Sequence, residues 1–540
     1  MNQYQRRLGP FGLLMVGLGS IIGSGWLFGA WRATVVAGPA AIIAWLIGAV
    51  IIIMIALPLM EMGAMFPRSG GMVRYAQYSH GSLVGFVSGW ANWVAIVSII
   101  PIEAEASIQY MSSWKWNWAQ GLYNGSELTP TGLAAAGVLV VFYFLINYWT
   151  VRLFAAVNNL VTVFKFVVPA FTAAGLFLSG FDSHNFSGAG GFAPNGVAAI
   201  LTAVATSGIV FAFNGFQSPV NLAGEVRNPG RSVPFAVIGS ILAAVVIYIL
   251  LQVAFIGAVP SALLAHGWSG LNFTSPFADL AIAWNLNWLA ILLYAGAFVS
   301  PAGAGMAYTA TSARLVQGIE DNGYFPHVLG RIHPRFGVPR PALWLSLGVS
   351  FVFLALFRGW GTLAEVISVA MIISYVTGPV SVAVLRRTEP NLPRPARIAG
   401  LHILAPLGFV AASLLLYWSR WPLTGEIIGI IALGIPIYVY YTWKQRGLGF
   451  SPHERAGVWL VCYLAWIALL SWLGSRTFGG IGLIPYGADM AVVALSSLGF
   501  YYWGVHSGWR NPFRLIYPPE AEAPGARPLG ESAPGLAQQS

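Results

Sequence analysis

A chain of 540 residues that is 57% hydrophobic and only 8% charged cannot hide its apolar surface in a water-soluble core, since soluble domains carry about 25% charged residues. Lipid is the solvent that this composition fits, and the mean hydropathy of +0.71 agrees. The net charge of +10 would suit a nucleic acid, but the basic residues sit in short segments between apolar stretches, so membrane loops explain them and no nucleic-acid partner is expected.

About 20 apolar residues span a bilayer as a helix. Fourteen such stretches are predicted, at 11–36, 40–65, 83–112, 132–150, 157–180, 196–222, 234–259, 286–315, 341–357, 361–385, 403–420, 424–443, 456–474 and 485–506. Arg6 and Arg7 precede the first, which lacks a signal-peptide cleavage pattern and reads as a retained helix. With the N-terminus in the cytoplasm and one crossing per stretch, 21 of the 27 basic residues fall on the inner side. Only Lys115, Arg358, Arg420 and Arg476 fall outside, while Arg32 and Lys165 lie within stretches. That asymmetry supports the count and places both termini inside. Residues 518–540, rich in Pro, Gly, Ala and Ser, are expected to be a disordered tail. A lone cysteine, Cys462, excludes an internal disulfide framework. With neither a CxxC nor an HExxH pattern, no metal and no cofactor is expected.

Two stretches carry interruptions. The first holds Gly17, Gly19, Gly23, Ser24 and Gly25; the sixth holds Ser207-Gly208 and Asn214-Gly215. Glycine-rich segments at membrane depth can unwind where they border a cavity. Paired interruptions in two halves of a chain point to a transporter site, although glycines also serve close helix packing. The glycines of the first stretch miss the GxGxxG spacing of a dinucleotide loop, and no strand precedes them. The expected architecture is an all-α polytopic membrane protein. Residues 1–390 form two inverted five-helix repeats with the first and sixth helices broken, residues 391–517 add four C-terminal helices, and 518–540 form the tail.

The Gly19–Gly25 segment resembles the first-helix signature of the amino acid–polyamine–organocation (APC) superfamily of permeases. Residues 58–71, Phe211–Phe216 with Gly224–Pro229, Ser312–Arg314 and Asn322–Pro326 resemble further family segments in the same order, over about residues 8–390. Residues 75–81, 147–149 and 266–268 are similar to the bacterial branch named as aspartate–proton symporters, whose members also have fourteen helices. The resemblance implies a multi-pass protein of a bacterial-type cell membrane that imports an amino acid by proton symport. Aspartate and glutamate are the acidic candidates, and partners beyond the amino acid, the proton and the bilayer are not implied. Amino-acid or amine exchange, sodium coupling and, more remotely, a membrane-embedded transferase are the competing readings.

The N-terminus of a half-helix starting after Gly25 presents free N–H groups and a positive dipole end, which suits a carboxylate. Ile22, Gly23, Ser24 and Gly25 are therefore the candidate seat of the substrate α-carboxylate. Carbonyls near Phe211 to Asn214 are candidates for the α-ammonium group, and Trp26, Phe213 and Phe216 for walls or lids, although aromatics on such helices also simply face lipid. Lys165 stands alone in an apolar run. A charge at mid-membrane costs roughly 2.5–3.5 kcal/mol or more, so this lysine is the candidate proton carrier. The resemblance implies the same, because a fifth-helix lysine takes the place where sodium-coupled relatives bind sodium. Snorkelling of its ammonium to an interface is the plainer alternative. Arg32 lies about 10 Å beyond Gly25 along the helix, and Glu103, Glu105 and Glu365 are expected at the same depth. Arg32 is expected to pair with one of them as an outer gate, or to bind a substrate side-chain carboxylate, or to form a static ion pair. Glu61 and Glu225 are expected to meet inner arginines such as Arg68 or Arg231, or to be simple solvated charges.

Overall fold

The computed structural model describes residues 8–67, 71–149, 151–334, 336–446 and 452–509. The tail 518–540 and Arg6, Arg7, Arg68 and Arg335 lie outside them. All fourteen predicted stretches are helical, and among the described residues the only β pairings are isolated bridges, Leu8–Val226 and Tyr123–Leu128. The first stretch is α1 (Pro10–Ile21) and α2 (Gly25–Ala37). Then follow α3 (Ala41–Met65), the short α4 (Gly71–His80), α5 (Ser82–Met111), α6 (Pro130–Trp149) and α7 (Val151–Ser179). The sixth stretch is split into α8 (Gly196–Thr206), α9 (Ile209–Ala212) and α10 (Ser218–Asn221). The chain continues through α11 (Pro229–Ala258), α12 (Pro276–Ala283), α13 (Asn287–Asp321), α14 (Arg340–Leu356), α15 (Trp360–Tyr375) and α16 (Thr377–Thr388). The C-terminal helices are α17 (Leu401–Trp418), α18 (Leu423–Ala432), α19 (Gly434–Arg446), α20 (Val458–Leu473) and α21 (Ala488–Ser507).

Among the described residues, eight helical runs of at least 18 residues are apolar enough to cross a bilayer. This number is below fourteen for two physical reasons. Some runs, such as Gly25–Met65, join two predicted stretches through a tight turn, and others, such as α1, α8, α14 and α20, have only 10–17 residues.

The helices pack as two related halves. α5 lies on α13, and α3 on α11. α7 lies on α13 as α15 lies on α5, and α1 lies on α11 as α8 lies on α3. Matching the first stretch with the sixth, the second with the seventh, and so on converts each contact into another. Five crossings, an odd number, reverse the direction of the second half, so the repeats are inverted. The C-terminal helices lean on this ten-helix bundle: α17 packs on α3 and α21, and α18 on α15 and α20.

Prolines inside paired helices help to join the repeats. A helical proline leaves the carbonyl four residues earlier without its N–H partner. Pro301 of α13 does this to Ala297, whose oxygen accepts from Ser107 Oγ of α5 at 2.9 Å. Pro101 of α5 does it to Val97, which accepts from Ser350 Oγ of α14 at 3.4 Å. At the arginine-rich end of the bundle, Glu61 of α3 is fully buried and meets an inner arginine, Arg386 of α16; Arg68 lies outside the described residues. Arg386 Nε donates at 2.8 Å and the Ile398 backbone N–H at 3.0 Å, with Arg394 close by. The reason lies in the topology, which brings the end of the tenth stretch back beside the end of the second.

Candidate functional site

α1 ends at Ile21 and α2 begins at Gly25. The backbone freed between them must find partners inside the protein, because lipid offers none. Side chains from three other helices cover the freed backbone oxygens, and a fourth helix reaches the Ser24 hydroxyl. Lys165 Nζ of α7 donates to Gly19 O at 2.7 Å. Tyr308 Oη of α13 donates to Ser20 O at 3.3 Å. Tyr248 Oη of α11 donates to Ile21 O at 3.3 Å and to Ala212 O, at the end of α9, at 2.8 Å. Ser300 Oγ of α13 reaches Gly23 O at 3.1 Å, and Trp360 Nε1 of α15 donates to Ser24 Oγ at 2.9 Å.

On the donor side, the Ser24 N–H points at Glu103 Oε1 of α5, 3.3 Å away. Glu103 is 1% exposed, and its second carboxylate oxygen has no hydrogen-bond partner. Lys165, 3% exposed, is the cation that acts on it electrostatically. A buried carboxyl group and a buried amine thus hold opposite sides of the same break, one through an N–H and the other through a C=O.

The second break lies against the first. A Cβ on Gly25 would come within 2.8 Å of Ala212 Cα, and one on Gly215 within 2.5 Å of the Ser20 backbone. Only glycine permits these approaches. The sixth stretch is interrupted twice, at Ser207-Gly208 and again over 213–217, which takes in the expected Asn214-Gly215. The Trp360 ring covers the first of these and packs on Phe28 and Phe211, with ring centroids 4.8 and 5.7 Å apart. Asn214 Oδ1 accepts from Gln217 Nε2 at 2.9 Å. Phe216 packs on Tyr375, Trp26 on Phe277, and Phe213 joins a cluster with Trp45 and Tyr248.

The charges expected at a common depth are not together. Glu103 sits at the break itself. Among the described residues no carboxylate comes within 4 Å of Arg32, whose guanidinium lies over Gly361 and 5.5 Å from the Trp31 ring centre. The expected Arg32 ion pair is therefore absent from this conformation. Residue counting misplaced Glu103 because α5 has 30 residues. At 1.5 Å each it is about 45 Å long, against a hydrocarbon core of about 30 Å, so its midpoint in sequence is not the midpoint of the membrane. Glu105 is 1% exposed with neither oxygen hydrogen-bonded, and Glu365 lies under the influence of Arg420 and Arg32. Tyr248, Ser300, Tyr308 and Trp360 were not singled out from sequence. None of them carries a charge, and the only signal available was its chemistry: a hydroxyl or indole N–H buried in a membrane helix must donate to something.

Two unwound helices facing each other inside a bundle of inverted repeats, with a buried carboxyl group and a buried lysine bonded to the first break, define a secondary transporter. The amino acid permease family model matches residues 8–442, and the chain belongs to that family. It is 60% identical over 516 residues to the glutamate/serine transporter AimA of Bacillus subtilis, covering 95% of this chain and 96% of that one. It is 37% identical over 514 residues to the aspartate-proton symporter of the same bacterium, covering 94% and 97%. A more distant relative is the human cationic amino acid transporter 4, at 29% identity over 415 residues, covering 73% and 62%. The protein is thus a multi-pass amino-acid transporter; the relatives are transporters and permeases, which sets the transferase reading aside.

Proposed function

We propose that the protein imports an acidic amino acid of the glutamate and aspartate class together with a proton. The observation that carries this reading is the Glu103 carboxylate on the Ser24 N–H, with Lys165 as its counter-charge. The N-terminus of α2 is where a substrate carboxylate would dock. Glu103 already occupies one of its donors, so an anionic substrate and an ionised Glu103 compete for the same place. Adding a proton to the Glu103–Lys165 pair removes the competitor. The loaded site then holds Lys165 as a cation, Glu103 neutral and a substrate of net charge −1, so its charges sum to zero, as they do in the empty pair. A low-dielectric site penalises any other sum. Ile22 to Gly25 would hold the α-carboxylate. The carbonyls from Phe211 to Asn214 would face the ammonium, with Trp26, Phe213 and Phe216 as walls. Arg32 and Glu365, with Glu105 nearby, would serve as an outer gate that closes in other conformations.

The positive-inside rule places the arginine-rich face and both termini in the cytoplasm of a bacterial cell membrane. Residues 1–390 would be the transport core and 391–517 an accessory helical unit. The test is uptake of labelled glutamate, aspartate and serine into proteoliposomes with a pH gradient and no sodium. Glutamate uptake is expected to rise at least roughly fivefold when the outside is acid, and Glu103→Gln, a fixed mimic of the protonated form, to flatten that rise to less than about twofold. A sodium requirement would remove Lys165 from its role.

A further inference from the structure

Apart from Glu365 of the outer gate, the transport mechanism leaves the lining of one polar cavity unused. It measures 340 Å³ and lies where the start of α15 meets the α17–α18 turn and the loop after α20, on the arginine-poor face. Glu365, Arg420, Glu426 and Arg476 line it. Only four basic residues belong to the outer segments of the whole chain, and two of them converge here.

No ion pair or side-chain hydrogen bond joins these four groups to one another among the described residues. Flexible guanidinium and carboxylate groups on one surface ordinarily close into pairs, because each pair gains hydrogen bonds. Here the fold holds them around a space instead. Arg420 is fixed by its backbone: it adopts φ +70°, rare for a residue with a side chain, between a hydrogen bond to Tyr417 O and one from Thr424 N. Strain of this kind concentrates at sites that bind.

We infer that this cavity is a capture site for the transported amino acid before it enters the broken-helix site. Two guanidinium groups suit the two carboxylates of an acidic amino acid, and Glu365 and Glu426 suit its ammonium. The volume admits one such molecule. Glu365 also couples the cavity to the transport path, because Arg32 on α2 acts on it electrostatically and Trp360, on the same helix, caps Ser24. This gives the C-terminal helices a function: they supply Arg420, Glu426 and Arg476, which the ten-helix core lacks.

The inference rests on the acidic-substrate reading, and one experiment separates their failures. Equilibrium binding of labelled L-glutamate to the purified full-length protein is measured together with proteoliposome uptake, for wild type and for Arg420→Ala/Arg476→Ala. Two glutamates per wild-type chain and one in the variant are expected. The variant's KM for glutamate is expected to rise roughly fivefold to tenfold while its saturating rate stays within about twofold and its KM for serine holds. Excess chloride or inorganic phosphate should not displace the second glutamate. One glutamate per wild-type chain, an unchanged glutamate KM, an equal rise for serine, or displacement by phosphate overturns the capture site. Wild-type protein that carries serine but neither glutamate nor aspartate overturns the acidic-substrate reading itself.

Discussion

Glu61 and Glu103 are both carboxylates buried to within 1% of complete, yet they are treated in opposite ways. Glu61 is saturated: Arg386 donates twice, the Ile398 N–H once, and Arg394 stands by. Glu103 has one bond of 3.3 Å to Ser24 and a bare second oxygen. A carboxylate surrounded by donors is locked in its charged form, because protonation would break several charge-assisted bonds. A carboxylate with one weak donor and a distant counter-ion can exchange its proton with little rearrangement. The difference separates a clamp from a switch, and it follows the architecture: the clamp joins the core to the start of the C-terminal helices, and the switch lies at the moving breaks.

Glu61→Gln gives the largest expected effect on stability. It leaves two arginines facing a neutral amide, and breaking a buried ion pair this way costs about 3 kcal/mol or more. A large fall in the melting temperature of the detergent-purified protein is the readout; Glu103→Gln should shift it little. Equal shifts for the two would erase the distinction between clamp and switch. Lys165→Met comes next. Removing the cation leaves Glu103 without a counter-charge and Gly19 O without a donor, so uptake driven by a pH gradient should fall by at least about tenfold. Wild-type coupling after this change would mean that the proton is carried without the pair. Trp360→Phe is the smallest. It keeps the packing on Phe28 and Phe211 and removes one hydrogen bond to Ser24, a loss of about 1 kcal/mol. Its signature should be a faster release of bound substrate with unchanged pH dependence, seen in a wash-out assay.

Much of this arrangement is legible in the chain before any folding. Local chemistry marks the broken helices, since only glycine allows an unwound backbone to approach another backbone, as Gly25 does Ala212 and Gly215 does Ser20. Lys165 is equally legible, because an isolated charge in an apolar run has no cheap explanation. The inverted repeats follow from the order of the stretches and the loop charges. Depth and partnership did not follow. Glu103 looked like a companion of Arg32 and became the partner of Ser24 and Lys165, because a 30-residue helix in a 30 Å layer carries its residues away from where counting puts them. The donors at the break, Tyr248, Ser300 and Tyr308 on freed carbonyls and Trp360 on the Ser24 hydroxyl, come from helices distant in sequence and carry no charge to mark them. The chain alone determines where its backbone must open and which charges lipid will not tolerate unpaired. Which groups meet at the opening depends on helix lengths, tilts and crossings, and only the tertiary structure decides those.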